Sequence, residues 1–395
     1  MAISTGTITG TLNLVPASYT DYRREAERKL PRQLFDYVDG GAYSELTLRR
    51  NVDDFEKLAL KQRVMRDVSA VNPVCTVMGN DLSMPAALAP IGMAGMMARR
   101  GELQAKRAAD AFGIPFTLST VGICSLEEVA EVSDTPFWFQ LYMLKDRGAV
   151  VALLERAKAV GVNTLMFTVD LAVVGARYRD VRNGMGGGTS PYDKLRAGLI
   201  DYLLHPRWAY NVGLRGQPHA FGNLSDFVAK ATTPADFKAW IDSQIDASVT
   251  WRDIEWLRSI WHGELIIKGV LNAEDAKAAF DTGADGVVIS NHGGRQLDGV
   301  ASTITILPRV MDAIGGRGTV IVDSGIRTGQ DILKARALGA DMVLIGRPWV
   351  FANAARGEQG VRALLTTMQG EMRVSMALTG VNNLSEVDHQ ILDWG

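Results

Sequence analysis

The sequence predicts a (β/α)8 barrel, on two observations. Eight short apolar segments of strand length alternate with amphipathic helical stretches along the chain, the rhythm of a parallel barrel. The G-x-G-x-x-G fingerprint that follows the first strand of an open dinucleotide-binding sheet is missing. The predicted strands are Ala86–Pro90, Phe116–Ser119, Phe137–Leu141, Thr164–Val169, Leu265–Lys268, Gly286–Ser290, Thr319–Asp323 and Met342–Gly346. They are rich in apolar and β-branched residues, as strands buried on both faces must be. Between them, Lys145–Val160 carries Leu153, Leu154, Ala157 and Val160 on one helical stripe, and Ala273–Thr282 repeats the pattern. Gly329–Gly339 does so too and stops on glycine, as helix C-termini often do.

Residues 1–80 precede the barrel, which spans 81–385 and leaves 386–395 as a C-terminal tail. In the extension, a helix is predicted over Tyr19–Leu30, ended by Pro31. Leu34–Ala42 then reads as an apolar turn of chain closing on Gly40 and Gly41. About 95 residues separate the fourth and fifth strands, and loops of that length tend to be functional. The insertion, 175–246, contains the glycine-rich run Gly184-Met185-Gly186-Gly187-Gly188.

The net charge of −2, with Lys and Arg dispersed, gives no nucleic-acid footprint. Cys75 and Cys124 have no metal-ligand spacing and point to a reducing compartment. No basic region with an apolar core opens the chain, so export is not expected. The most apolar window, Met84–Ala98, is too short to span a bilayer and is broken by Pro85 and Pro90. The expectation is an intracellular protein without a transmembrane span.

In a barrel, chemistry gathers on the loops after the strands' C-terminal ends. Read in order, those ends give Pro90-Ile91-Gly92, Ser119, Gln140 with Tyr142, Thr168 with Asp170, Lys268, Ser290, Asp323 and Gly346. The most informative is Ser290–Asp298, SNHGGRQLD, which places His292 and Arg295 beside two glycines. Alone, a His-Gly-Gly run reads more readily as a glycine turn with a surface histidine. The last two loops each pair glycine with arginine (Gly325 and Arg327, Gly346 and Arg347), where barrels hold phosphate through exposed N–H groups and a charged fork.

With these motifs the chain resembles the FMN-dependent L-2-hydroxy acid dehydrogenases and oxidases. The likeness is carried by SNHGGRQLD, by Leu34–Ala42, by Trp138–Tyr142 (WFQLY), by Asp323–Arg327 (DSGIR) and by Gly346-Arg347. It runs from about Tyr19 to Ser385. Segments such as Gly40–Glu45, Ala98–Gly101 and Gly175–Asp180 look most like the respiratory, lactate-oxidising branch. The resemblance implies bound FMN and a base, His292, oriented by Asp170. It further implies that Arg177 and Arg295 clamp the substrate carboxylate, with Tyr37 and Tyr142 as phenols at the substrate; either tyrosine could instead be core packing with a satisfied hydroxyl. Lys268 would lie beside the flavin's pyrimidine edge. Ser119, Gln140, Thr168 and Ser290 would contact its ring, backbone at Pro90, Ile91 and Gly92 would cover one face, and Asp323, Gly325, Arg327, Gly346 and Arg347 would complete the cofactor contacts. Glycine at position 92 resembles the dehydrogenases, where oxidases usually carry alanine, and so implies a quinone acceptor. (S)-Mandelate oxidation and a glycolate-type, O2-using oxidase are the alternatives.

In the insertion, Tyr192, Leu195, Leu199, Ile200, Tyr202 and Leu203 recur at helical spacing opposite Lys194 and Arg196, before His205–Tyr210. The pattern fits a helix packed on the barrel or between subunits as well as a monotopic membrane contact. The resemblance favours the membrane: residues 184–215 docked peripherally on the cytoplasmic face of a bacterial inner membrane, in a homo-oligomer, commonly a tetramer. Isomerases or dehydrogenases of phosphorylated substrates share the barrel but leave His292, Arg177 and Arg295 unexplained; a non-catalytic barrel that senses a hydroxy acid is the third possibility.

Overall fold

The computed structural model describes residues 15–185, 200–218, 221–225 and 243–393. Eight parallel strands form the central sheet: β1 (Ala86–Leu88), β2 (Thr117–Ser119), β3 (Trp138–Leu141), β4 (Thr164–Thr168), β5 (Glu264–Val270), β6 (Gly286–Ile289), β7 (Thr319–Val322) and β8 (Met342–Ile345). Each pairs with its sequence neighbour, and β8 returns to β1. A parallel bridge between Leu88 and Phe116, with the Leu88 N–H donating to Pro115 O at 2.9 Å, joins β1 to the start of β2. The sheet is therefore a closed barrel, and every predicted strand lies within it.

Side chains alternate across a strand, so each strand sends one set inward and one toward the helices. Ala87, Trp138, Met166, Ile266, Val288, Ile321 and Leu344 form the apolar interior. Below them the hairpin Cys75–Val77 and Asn80–Leu82 closes the bottom, with Leu82 packed into the same cluster. The opposite set, including Leu165, Ile267, Val287 and Val343, packs under the helical layer. The open end is the C-terminal mouth.

The N-terminal extension packs on this mouth as three helices: α1 (Tyr19–Lys29), α2 (Arg32–Asp39) and α3 (Leu46–Lys57). Leu34–Ala42 is thus mostly helix rather than an irregular turn. Its apolar residues fall at helical spacing, so Leu34, Phe35 and Val38 are buried on one side. The final residues are not loose: Leu392–Asp393 pairs antiparallel with Ala59–Leu60. After β8 the chain is helical over Arg347–Thr379 (α4), interrupted at Gly357, where φ is +63°. None of the described helices is long and apolar enough to cross a membrane.

Of the insertion's aromatic segment, Tyr192, Lys194, Leu195, Arg196 and Leu199 lie outside the described residues. Tyr202 and Leu203 do not share a face. Tyr202 stacks on Trp208, with ring centroids 5.0 Å apart, and its hydroxyl donates to Gln33. Trp208 Nε1 donates to Met96 O at 2.8 Å. Leu203, Leu204 and Leu214 point to solvent, 68%, 73% and 75% exposed. The aromatic root is pinned to the mouth while the leucines face outward.

Candidate active site

The strand period of two places a polar layer directly above the apolar interior. Gln140 stands two residues beyond inward-facing Trp138, Thr168 beyond Met166, Lys268 beyond Ile266, Ser290 beyond Val288 and Asp323 beyond Ile321. These groups are buried and linked. Ser119 Oγ donates to Gln140 Oε1 at 2.9 Å, and Gln140 Nε2 to Thr168 Oγ1 at 3.0 Å. Lys268 Nζ reaches Ser290 Oγ at 2.9 Å and Asp323 Oδ2 at 2.9 Å. Burial drives an ammonium toward its neutral form, but Asp323 and Asp170 outweigh it and the Lys268 pKa is raised.

Above this floor lies about 1420 Å³ of empty space, partly open to solvent. Its lining mixes apolar side chains such as Ile91, Val121 and Leu171 with a few convergent polar groups, the make-up of a ligand site. Sixteen of the nineteen site residues read from the sequence line it; Ser119, Ser290 and Asp170 sit one step behind and touch residues that do.

His292 Nδ1 lies 2.8 Å from Asp170 Oδ1. Burial raises a carboxyl, yet His292 and Lys268 outweigh it and hold Asp170 below its ordinary pKa, as an ionised acceptor. An ionised acceptor requires the proton on Nδ1, which leaves Nε2 as the basic nitrogen. Burial pushes the imidazole below its usual 6.5, with Asp170 opposing and Lys268 and Arg177 assisting. The base is therefore neutral near pH 7. His292 also holds φ at +58°, followed by Gly293 at +68° and Gly294 at +72°. A non-glycine residue there costs on the order of 1–3 kcal/mol and persists only where its surroundings fix it.

Two cations share the mouth with this base. Arg177 is deeply buried, and burial together with Arg295 brings its pKa down to about 10. Its carboxylate contact is distant, Asp180 at 3.9 Å. Among the described residues no carboxylate pairs with Arg295; its guanidinium lies 4.8 Å over the Tyr37 ring and donates to the Tyr37 and Gly40 carbonyls. Tyr142 is buried between Arg177, Arg295 and Asp170, and burial raises its pKa, so its phenol stays protonated. Gln296 Nε2 donates to the carbonyls of Asp170 and Val173. Those bonds tie the loop after β4, which carries Asp170 and Arg177, to the loop after β6, which carries His292 and Arg295.

At the far side, Arg347 is already held by backbone carbonyls. Its guanidinium donates to Val38 O, Gly40 O and Gly293 O, because the C-terminal carbonyls of α2 have no partners of their own. Burial, with Arg295 and Arg327 nearby, lowers its pKa to about 9. Arg327, the other arginine at this end, lies 4.9 Å over the Tyr19 ring. The positive end of the α4 dipole lies at Gly346 and Arg347, which line the same space. Gly325, at φ +124°, could not be replaced: a Cβ would lie 2.1 Å from Asn51 O.

Gly92 lines the same space. A Cβ there would meet Val121 Cγ2 at 2.6 Å and the Tyr37 hydroxyl at 3.3 Å. Gly92→Ala should therefore displace Tyr37 and raise KM by roughly three- to tenfold with kcat little changed, since about 1 kcal/mol of ground-state binding is removed. Steady-state kinetics on the flavin-loaded variant checks this.

Sequence reading missed three residues that shape the site. Asp298 accepts from the N–H groups of Leu46 and Thr47 and so caps α3 from across the chain. Asn291 and Asn51 join through a reciprocal pair of amide bonds. Asn291 and Asp298 carried a signal, since both lie within the SNHGGRQLD run, whereas Asn51 carried none.

A cleft with a buried ammonium on its floor, arginines at one end and a neutral imidazole beside two further cations has the make-up of a flavin-type oxidoreductase site in a TIM barrel. The chain belongs to the FMN-dependent dehydrogenase family, whose model matches residues 26–394. It is 53% identical over 379 residues to an L-lactate dehydrogenase of Caulobacter vibrioides (strain NA1000 / CB15N), covering 96% of this chain and 98% of that one. Among solved structures it resembles a monotopic membrane protein, (S)-mandelate dehydrogenase, with TM-score 0.89, 35% identity and coverage of 96% and 100%. A mandelate oxidase holding (S)-4-hydroxymandelic acid gives TM-score 0.81 at 34% identity, covering 96% and 98%.

Proposed function

We propose that this enzyme oxidises an L-2-hydroxy acid, L-lactate foremost, to the 2-keto acid and passes the electrons to a membrane quinone. The observation that carries this reading is the meeting of a neutral imidazole with Arg177 and Arg295 in one mouth. Bound FMN supplies the two-electron acceptor chemistry. Lys268, Gln140, Thr168, Ser119 and Ser290 would hold its ring system, and Gly325, Arg327, Gly346 and the charge of Arg347 its phosphate. Arg177 and Arg295 bind the substrate carboxylate, and Tyr142 and Tyr37 donate hydrogen bonds to the substrate oxygens. His292 Nε2 takes the proton that the substrate loses, and the carboxylate of Asp170 stabilises the imidazolium so formed.

An anaerobic absorbance spectrum tests this directly. L-Lactate should bleach the bound flavin, D-lactate should not, and L-mandelate and glycolate should act more slowly. Bleaching by L-mandelate alone would favour the mandelate-oxidising alternative, and failure of all four would overturn the reading.

The quinone acceptor is supported by glycine at position 92 and by the exposed Leu203, Leu204 and Leu214 beside the mouth. An outward apolar set above a pinned aromatic root suits peripheral contact with a bilayer. Exchanging 184–215 for a short polar loop should move the enzyme to the soluble fraction, with lactate still reducing the flavin. Continued sedimentation with membranes would count against that contact. The other reading of this segment, an interface within a tetramer, predicts instead a change of oligomeric state on gel filtration.

A further inference from the structure

Helix α3 lies outside the barrel, yet it touches the loop after β6 along its whole length. At its first turn, Leu46 and Thr47 N–H donate to Asp298, and Gly299 N–H donates to Thr47 Oγ1 at 2.9 Å. Leu48 closes against Gly294, where a Cβ would lie 2.6 Å from the Leu48 nitrogen. Arg50 donates to Gly299 O and Val300 O, and Asp54 accepts from Ser302 Oγ at 2.6 Å. The helix has no cap of its own: Glu45, at φ +63°, has its carboxylate engaged with Arg179 and the Gly41 N–H.

The centre of this contact is the Asn51–Asn291 pair. Asn51 Nδ2 donates to Asn291 Oδ1 at 2.8 Å, and Asn291 Nδ2 returns a bond to Asn51 Oδ1 at 2.7 Å. Asn291 Oδ1 also accepts from Gly294 N–H at 3.0 Å. Asn51 is 1% exposed, so water is excluded from the pair. The two residues bracketed by this arrangement are His292 and Gly293, in the left-handed stretch described above. We infer that Asn51 is a positioning residue for His292: through Asn291 it holds the left-handed backbone that aims the imidazole, and α3 is the external brace of the catalytic loop. This rests on His292 being the base, as proposed above.

The brace acts on geometry and not on substrate affinity, because Asn51 does not line the mouth. Asn51→Ala removes both bonds of the pair and leaves the Asn291 amide held only by the Gly294 N–H and, at 3.3 Å, by Ala301 O, which loosens the loop. A misplacement on the order of 1 Å at a reacting group can lower a rate by about a hundredfold. In the FMN-loaded enzyme, stopped-flow reduction by L-lactate, expressed per bound flavin, should slow by roughly ten- to a hundredfold in Asn51→Ala, with KM changed by less than about threefold. Asn51→Asp keeps the volume and one of the two bonds, and should fall between Asn51→Ala and the native enzyme. It keeps the question answerable if the alanine variant fails to fold. In the His292→Gln background the Asn51 effect should vanish, since a group acting through the imidazole has nothing left to position.

A native rate per bound flavin in both Asn51 variants, with His292→Gln impaired, would overturn the brace alone. So would an undiminished Asn51 effect in the His292→Gln background. A native rate in His292→Gln would instead overturn the base assignment.

Discussion

Replacing His292 with glutamine should lower kcat at pH 7 by roughly 10²–10⁴-fold, the usual worth of a positioned general base. Glutamine preserves volume and can still donate to Asp170, so FMN content and the Tyr142, Arg177 and Arg295 arrangement should survive. The measurement is flavin reduction by L-lactate under anaerobic conditions. The native pH profile supports the same assignment with a definite sign. Turnover needs neutral imidazole, and burial holds its pKa below 6.5, so kcat/KM should be flat near pH 7 and fall with acid below that value. Asp170→Asn removes the group that raises the imidazole pKa, so the acid limb should move to still lower pH. The rate on the plateau should drop as well, because the imidazolium formed in the reaction loses its counter-charge. An acid limb above pH 7 in the native enzyme, or unaltered turnover in His292→Gln, would contradict both.

Much of this site was legible in the sequence because two periodicities coincide. A strand alternates inside and outside, so a polar residue two positions beyond an inward apolar one must cap the barrel interior. Gln140 after Trp138, Thr168 after Met166 and Lys268 after Ile266 follow that rule. The loops that extend the same strands then carry Tyr142, Asp170 and His292. What was not legible depends on pairs far apart in the chain. Asp298 caps a helix that starts 252 residues earlier, and Asn51 meets Asn291 240 residues away. No local pattern marks either pair. Leu34–Ala42 read as a turn because Gly40 and Gly41 dominate its end. The helix before them is secured by tertiary partners, with Arg295 and Arg347 accepted by its last carbonyls. Arg347 was legible only in part: its place beside Gly346 was clear, but its bonds to the carbonyls of Val38, Gly40 and Gly293 depend on residues far away in the chain.

The proposed function gives Lys268 a redox role beside its structural one, and a double substitution separates the two. Its side chain is 6% exposed and its ammonium lies 2.9 Å from Asp323, itself 10% exposed. Lys268→Met leaves a buried carboxylate whose remaining side-chain donor among the described residues is Ser324 Oγ. Breaking a buried pair from one side costs about 3–5 kcal/mol, chiefly through the charge left behind. Asp323→Asn strands the ammonium and should be destabilising for the same reason. The double variant Lys268→Met with Asp323→Asn buries no uncompensated charge, and exchanging an entire buried pair for neutral groups is often close to neutral. Urea denaturation midpoints should therefore fall sharply in each single variant and recover most of the way in the double one. The redox role should not recover. A positive charge near the ring favours the reduced, more negative flavin, so the double variant should keep a lower flavin potential and a slower reduction by L-lactate than the native enzyme. Stability and potential that recover together would assign Lys268 to the fold alone. A potential that stays low while the midpoint returns would place its charge at the chemistry.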